Sequence, residues 1–292
     1  MFDPIQYQLL DFGKNEAGVG EKLERFGEFL ISRPSPPADR AIRSRPDLWS
    51  GIDAAYTRRN TNKESWSFVS QKATGPNDSW SIEHDGLRFK LKPTPFGHVG
   101  LFVEQQSNWD WIRKRVTNCE RKLKVLNLFA YTGGSTLSAA VAGAEVTHID
   151  SAKNIVSWAR ENAALSNLSE HPIRWIVEDC SLFVEREVKR GNRYDAIILD
   201  PPTFGHGPKG EAWKIERDLI RLLRNCKKLL TDSPEFMLLT CHSPGYGPAE
   251  LQATFCDAVF GTCSTQVTAM PLSISTNDGR KLNAGNLVRW PR

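Results

Sequence analysis

The sequence predicts an α/β fold: an open, doubly wound parallel sheet preceded by a smaller β-rich module. Three observations carry this. From Lys124 onward, short apolar runs alternate with longer amphipathic ones, the signature of parallel strands covered by helices. The apolar runs close on glycines, acids and prolines, which is where an open parallel sheet keeps its ligand edge. The first 120 or so residues lack that alternation and carry short strand patterns instead.

In chain order, short strand patterns stand at 65–69, 80–84 and 87–91, and Asp85-Gly86 has the chemistry of a tight hairpin turn. A lead-in helix is expected over 106–117. Strands follow at 124–129, 145–150, 173–178, 194–200 and 235–241. Helices are expected at 135–142, 152–166, 181–189, 211–230 and 248–260. Late strands at 264–271 and 286–290 imply that one strand runs antiparallel if they form a hairpin. The division predicted is a β-rich N-terminal module with the lead-in helix over 1–120 and the sheet domain over 121–292.

The chain has 292 residues, a formal charge of +4 and 40% hydrophobic residues, a balance that excludes a disordered or fibrous chain. No apolar run reaches the length of a membrane span, and Met1-Phe2-Asp3-Pro4 reads as neither a secretory signal nor a transit peptide. Cysteines 119, 180, 226, 241, 256 and 263 form no CxxC pair and no zinc spacing. Free thiols in a reducing cytoplasm, with no metal and no membrane, are the expectation.

The strand ends carry the chemistry. After the first strand of the sheet, Asn127-Leu128-Phe129-Ala130-Tyr131-Thr132-Gly133-Gly134 opens directly into a helix. Its glycines allow a sharp turn and a close ligand, and the helix start offers unpaired N–H groups. Neither the G-x-G-x-x-G spacing nor a P-loop is present, which counts against a dehydrogenase or a nucleotide triphosphatase. The second strand ends on Asp150, placed to accept from two ribose hydroxyls, and the third on Asp179, placed for an adenine amino group. Each acid could instead cap a helix, Asp179 more readily than Asp150. The fourth strand ends in Asp200-Pro201-Pro202-Thr203-Phe204. Two prolines fix a rim with free carbonyls, while Asp200 and Phe204 could hold a flat base by hydrogen bonding and stacking.

VLNLFAYTGG at 125–134, Asp150 and LDPPTF at 199–204 resemble class I S-adenosylmethionine-dependent methyltransferases. More narrowly they resemble the large-subunit ribosomal RNA enzymes of the RlmI/RlmK branch, and PFGHVGLFVEQQ at 95–106 is similar to that branch's hairpin and lead-in segment. The resemblance implies a Rossmann-like seven-stranded sheet with one antiparallel strand, and S-adenosyl-L-methionine as cofactor. It implies that Phe129, Tyr131, Thr132, Gly133 and Gly134 form the methionine-side loop, that Asp150 binds the ribose and Asp179 the adenine, and that Glu104 and Gln105 close over the cofactor. Asp200, Pro201 and Pro202 would line the transfer site. The chain departs from the branch at Gln106 and Trp109, where arginines are usual, and its first ninety or so residues do not resemble the usual N-terminal RNA-binding PUA domain.

The acceptor divides by chemistry. Transfer to C5 of a pyrimidine needs a thiolate, and Thr240-Cys241-His242-Ser243 is similar to the nucleophile motif of RNA cytosine-C5 enzymes, with His242 placed to lower the thiol pKa. Cys241 could instead be a small buried hydrophobe. Transfer to an exocyclic amine or ring nitrogen would use Asp200 and a proline carbonyl with no covalent step. RNA, ribosomal RNA first, is the expected substrate. Arg40, Arg43, Arg45, Arg58 and Arg59 with Trp49 and Trp66 could grip it by charge and stacking, or form a solvated loop over a small core. A protein or small-molecule acceptor, or cofactor binding without transfer, stays open.

Overall fold

The computed structural model describes residues 5–57, 65–70, 79–262 and 266–291. It divides into two compact units, one of Met1–Glu104 with Ser273–Ala284, the other of Gln105–Leu272 with Gly285–Arg292.

The first unit carries β1 (Tyr7–Lys14), β2 (Gly20–Phe26), β3 (Phe29–Pro34), β4 (Ala54–Thr57) and β5 (Ser65–Phe68), which form one sheet in that order. A separate hairpin joins β6 (Trp80–His84) and β7 (Leu87–Leu91). Its turn places Asp85 at φ 47° and Gly86 at φ 78°, the left-handed pair that a tight hairpin requires. The sequence pattern missed β1 to β4. In β1 the register slips between Leu9 and Asp11, a bulge that breaks the period of two, and Asp11 and Glu24 point inward with no exposure. Residues Ser273–Ala284 count with this unit because Leu282 packs with Leu9, Phe12 and Ala38, and Thr276 bridges Leu9.

The second unit runs α1 (Gln106–Thr117), β8 (Lys124–Leu128), α2 (Gly134–Val141), β9 (Glu145–Asp150), α3 (Lys153–Leu165), β10 (Ile173–Val177), α4 (Cys180–Arg190) and β11 (Ala196–Leu199). The hairpin β12 (Phe204–His206) and β13 (Ala212–Lys214) follows, then α5 (Ile215–Leu229), β14 (Phe236–Cys241), α6 (Pro248–Phe260), β15 (Thr268–Ser275) and β16 (Lys281–Trp290). The seven-stranded sheet has the order β10-β9-β8-β11-β14-β16-β15; its first five strands are parallel and β16 pairs antiparallel with β14. Strand order reverses between β8 and β11, the crevice where ligands bind in such sheets. β8, β11 and β14 are buried almost throughout, so they read as apolar runs rather than alternating strands.

Two expectations are corrected. The lead-in helix belongs to the sheet unit, not to the N-terminal module, because Trp109 of α1 packs against Gly134 at the start of α2, so the boundary falls at 104 and not at 120. The helix expected from 211 begins at Ile215, since Ala212–Lys214 pairs with Phe204–His206.

Candidate active site

The parallel ladders fix the geometry. Leu128 pairs with Ile149 and Leu199, Ile149 with Ile176, and Leu199 with Leu239, so Phe129, Asp150, Val177, Asp200 and Thr240 emerge on one rung at the carboxyl edge.

The loop after β8 is held in an unusual shape. Phe129 at φ 56° and Tyr131 at φ 49° are left-handed without being glycine, and Gly133 at φ 94° caps α2. Such residues persist only where neighbours over-determine them. Here the Phe129 N–H donates to Cys180 Sγ at 3.2 Å, the Ala130 N–H to the Ile149 carbonyl at 3.0 Å and the Tyr131 N–H to Asp150 Oδ2 at 2.9 Å. Asn162 Nδ2 donates to the Thr132 carbonyl at 3.0 Å, which fixes a buried Thr132. Gly134 opens α2. A Cβ there would lie 2.6 Å from Trp109 Cζ2, so its missing side chain makes room for the tryptophan.

Asp150 is half-buried, and its Oδ1 accepts from the Ala152 N–H at 3.0 Å. Burial pushes its carboxyl up, against the pull of the Ala152, Tyr131 and Ser151 amides. Neither oxygen is saturated by these bonds, so the group keeps capacity to accept from hydroxyls. Asp179 is the N-cap of α4, its Oδ1 accepting from the Leu182 N–H at 2.9 Å, and its second oxygen takes no part in this cap bond.

Asp200 is the most heavily coordinated acid of the edge, and its side chain is still 30% exposed. Gln105 Nε2 donates to its Oδ2 at 3.0 Å, the Thr240 hydroxyl donates to Oδ1, and His242 Nε2 stands 3.4 Å from Oδ1. Burial raises the carboxyl, but hydrogen bonding and charge from His242, then Thr240 and Gln105, outweigh it and hold the group below its ordinary range. Asp200 is therefore an ionised acceptor at neutral pH. Next to it Pro202 does not present a free carbonyl, because Trp213 Nε1 donates to it at 2.7 Å. Trp213 is itself buried and packs on Phe129 at 5.0 Å, so the Asp200-Pro201-Pro202 tip is pinned rather than open. Phe204 projects its ring 67% exposed.

Cys241 lies on the other face of β14 from Thr240, as strand alternation requires. It is fully buried in the core with Leu199, Met237, Leu251 and Phe255, and burial pushes its thiol up. A nucleophile must be a thiolate, which this setting opposes. Of the arginines expected to grip RNA, Arg43 and Arg45 are engaged within the first unit. Arg43 donates to Glu21 at 2.6 Å and stacks on Trp49 at 3.6 Å, and Arg45 pairs with Asp47 at 2.9 Å. Trp49 is buried and donates to Asp11 at 2.8 Å, while Trp66 Nε1 donates to the Thr94 carbonyl at 2.7 Å. Arg58 and Arg59 lie outside the described residues. Glu104 ends the first unit and Gln105 begins the second.

Comparison with known proteins decides the family. The family model for S-adenosylmethionine-dependent methyltransferases matches residues 55–259. The chain belongs to this family. The SAM-dependent methyltransferase of Agrobacterium tumefaciens is 35% identical with a TM-score of 0.89, covering 98% of this chain and 90% of that one. A Streptococcus mutans protein provisionally assigned as a SAM-dependent methyltransferase shares the fold at 16% identity and a TM-score of 0.73, over 97% of this chain and 74% of that one. Among curated proteins, ribosomal RNA large subunit methyltransferase K/L of Pseudoalteromonas atlantica is 36% identical over 177 residues, and that of Shewanella frigidimarina 36% over 157. These alignments cover 60% and 53% of this chain, which spans only 24% and 21% of those relatives' length. S-adenosylmethionine supplies an electrophilic methyl group when bound. The residues at the edge fit it: a half-open carboxylate on β9, a loop locked by Asp150 and an ionised acid across the switch point. Among the described residues no group of His, Cys, Asp and Glu could hold a metal, and no helix is long and apolar enough to cross a membrane.

Proposed function

We propose that this methyltransferase modifies a nucleobase of RNA, ribosomal RNA first, in the cytoplasm, without a covalent enzyme intermediate. The observation that carries the reading is the β11 tip: an ionised, half-exposed Asp200 beside an exposed aromatic ring, Phe204, on a rim fixed by Pro201, Pro202 and Trp213. A carboxylate that only accepts selects an acceptor offering an N–H, and a flat ring stacks on a base. Alignment at attack distance then supplies most of the rate advantage. On this reading Phe129, Tyr131, Thr132, Gly133, Gly134, Asp150, Asp179 and Gln105 hold the cofactor, and Asp200 positions the acceptor.

The names of the two curated relatives support ribosomal RNA as the polymer. A second support is α5, which lays Arg217, Arg221, Arg224 and Lys228 at helical spacing along one exposed face. Asp218 and Asp257 offset part of that charge, at 2.7 Å from Arg217 and 3.2 Å from Arg224. This stripe, rather than Arg43 and Arg45, is the stronger candidate track for phosphates. The five described cysteines are all free, in keeping with a reducing compartment.

The test is mass spectrometry of ribosomal RNA nucleosides from cells with and without the gene. Loss of one methylated nucleoside, restored by the wild-type chain and not by Asp200→Asn, is the expected result. An unchanged nucleoside profile, with methyl transfer to a protein or small molecule instead, overturns the RNA assignment.

A further inference from the structure

Gln105 does not find its orientation alone. Asn108, one turn along, has no exposure, and its Nδ2 donates to Gln105 Oε1 at 2.6 Å. Asn108 Oδ1 in turn accepts from Arg289 twice, from Nε at 3.1 Å and Nη2 at 2.7 Å. Arg289 sits on β16 opposite Leu238, lies 5.1 Å from the Trp111 ring, and donates also to the Ser107 carbonyl at 2.8 Å. At the other end, Gln105 Nε2 donates to Asp200 Oδ2 at 3.0 Å and to Thr240 Oγ1 at 3.2 Å. Having accepted that bond, the Thr240 hydroxyl turns its proton to Asp200.

The ends decide which way each amide faces. A guanidinium has donors only, so Asn108 must turn its oxygen to Arg289 and its NH2 to Gln105. Gln105 must then meet Asn108 with its oxygen and Asp200 with its NH2. The series runs Arg289, Asn108, Gln105, Asp200 with one sense of donation, from a cation to an anion. Burial lowers the Arg289 pKa only to about 10, against an opposing pull from Asp110, so the cation persists at neutral pH.

We propose that Arg289 and Asn108 are positioning residues for methyl transfer: through Gln105 they fix the polarity and rotamer of the Asp200 carboxylate. The assignment rests on the reading that Asp200 lines the transfer site. Arg289 and Asn108 act at a distance, since Asn108 touches only Gln105 and Arg289 along this series. Besides Gln105 and Thr240, Asp200 faces His242 Nε2 at 3.4 Å, and the Cys241 thiol lies near enough to feel its charge.

Asn108→Asp is the deciding substitution. It keeps the size of the side chain and strengthens the pair with Arg289, but it sets an oxygen against Gln105 Oε1. Gln105 must turn over and present its own oxygen to Asp200. The experiment is a 13C carboxyl titration of the full chain, with Asp200 assigned by loss of its signal in Asp200→Asn. The Asp200 carboxyl should titrate about one pH unit or more higher in Asn108→Asp. The acid limb of the methyl-transfer rate should move with it, giving a kcat about 10-fold lower at a fixed acidic pH on that limb and recovering as pH rises toward neutrality. Arg289→Lys, which keeps the charge and loses the fork, should shift both in the same direction by less, and it decides the matter alone if Asn108→Asp does not fold. A carboxyl that titrates at the same pH as in the wild type overturns the relay. A shifted carboxyl with an unmoved rate profile upholds the relay and overturns the placement of Asp200 at the transfer site.

Discussion

Each unit of the molecule is organised around one aspartate gathered in by donors, and the two differ in whether the cage is closed. Asp11 of the first unit accepts from the Ser44 N–H at 3.1 Å, the Arg45 N–H at 3.0 Å, Trp49 Nε1 at 2.8 Å and the Arg280 guanidinium, and its side chain has no exposure. Asp200 of the second unit is held by Gln105, Thr240 and His242 yet keeps 30% of its side chain exposed. Both carboxyls are held below their ordinary range against the opposing push of burial. A depressed carboxyl pKa therefore marks coordination in both places, and only the open face distinguishes a site from a staple.

Exchanging each acid for its amide should separate the two most sharply. Asp200→Asn removes the charge that orients the acceptor and should lower kcat by about 100-fold or more, with the unfolding midpoint little changed. Asp11→Asn forces an NH2 against donors in a sealed cage and should cost about 3 kcal/mol in urea unfolding while turnover of the folded enzyme persists. The reverse outcome, a stable and inactive Asp11→Asn, would make the Asp11 cage part of the site.

Acid should then read the closed cage directly. Asp11 titrates at about 2 when folded against an ordinary 3.8, so its folded form is depressed and its contribution is present above the unfolded value. That contribution, ~2 kcal/mol, should be lost as pH falls from about 4 through 2, and Asp11→Asn should flatten this part of the stability profile. Asp200 contributes with the same sign. A wild-type stability that rises on acidification over this range would contradict the cage. A packing prediction is of similar size: Gly134→Ala places a Cβ 2.6 Å from Trp109 and should cost about 1–3 kcal/mol, relieved in part by Trp109→Phe in a double-mutant cycle.

Both acids were present in the sequence, but only one could be read there. Asp200 ends an apolar run and is followed by two prolines, a local pattern that needs no tertiary knowledge. Asp11 sits inside a strand whose bulge hides the alternation, and its partners lie 33 to 269 residues away. The same limit leaves Arg43, Arg45 and Trp49 open in the sequence between an RNA grip and a loop over a small core, since a basic and aromatic cluster looks alike whether it faces solvent or wires a core. In the second unit the strand tips were legible because parallel ladders bring consecutive strand ends to one edge. Asn108, Trp109, Trp213 and Arg289 were not read as parts of the site, because nothing local announces which distant carbonyl or amide they meet. Trp109, a departure from the pattern the resemblance implies, is the available signal.

Cys241 is where that limit had its sharpest consequence, and it supplies the smallest expected effect. The run from Thr240 to Ser243 offered three polar side chains around a thiol, and β14 is buried on every residue, so no alternation told which face each one takes. The structure gives Thr240 to Asp200 and Cys241 to the core. Cys241→Ser should therefore keep turnover close to wild type and cost about 1–2 kcal/mol, the penalty for a hydroxyl in an apolar setting, moderated by a bond to Ser243. Thr240→Val, nearly the same shape one residue earlier, should lose more activity and less stability, because it strips Asp200 of a donor and leaves the core untouched. Assaying the pair side by side compares two faces of one strand. Activity abolished by Cys241→Ser in a folded protein, with Thr240→Val still active, would return the nucleophile to Cys241 and require β14 to present its other face to the acceptor.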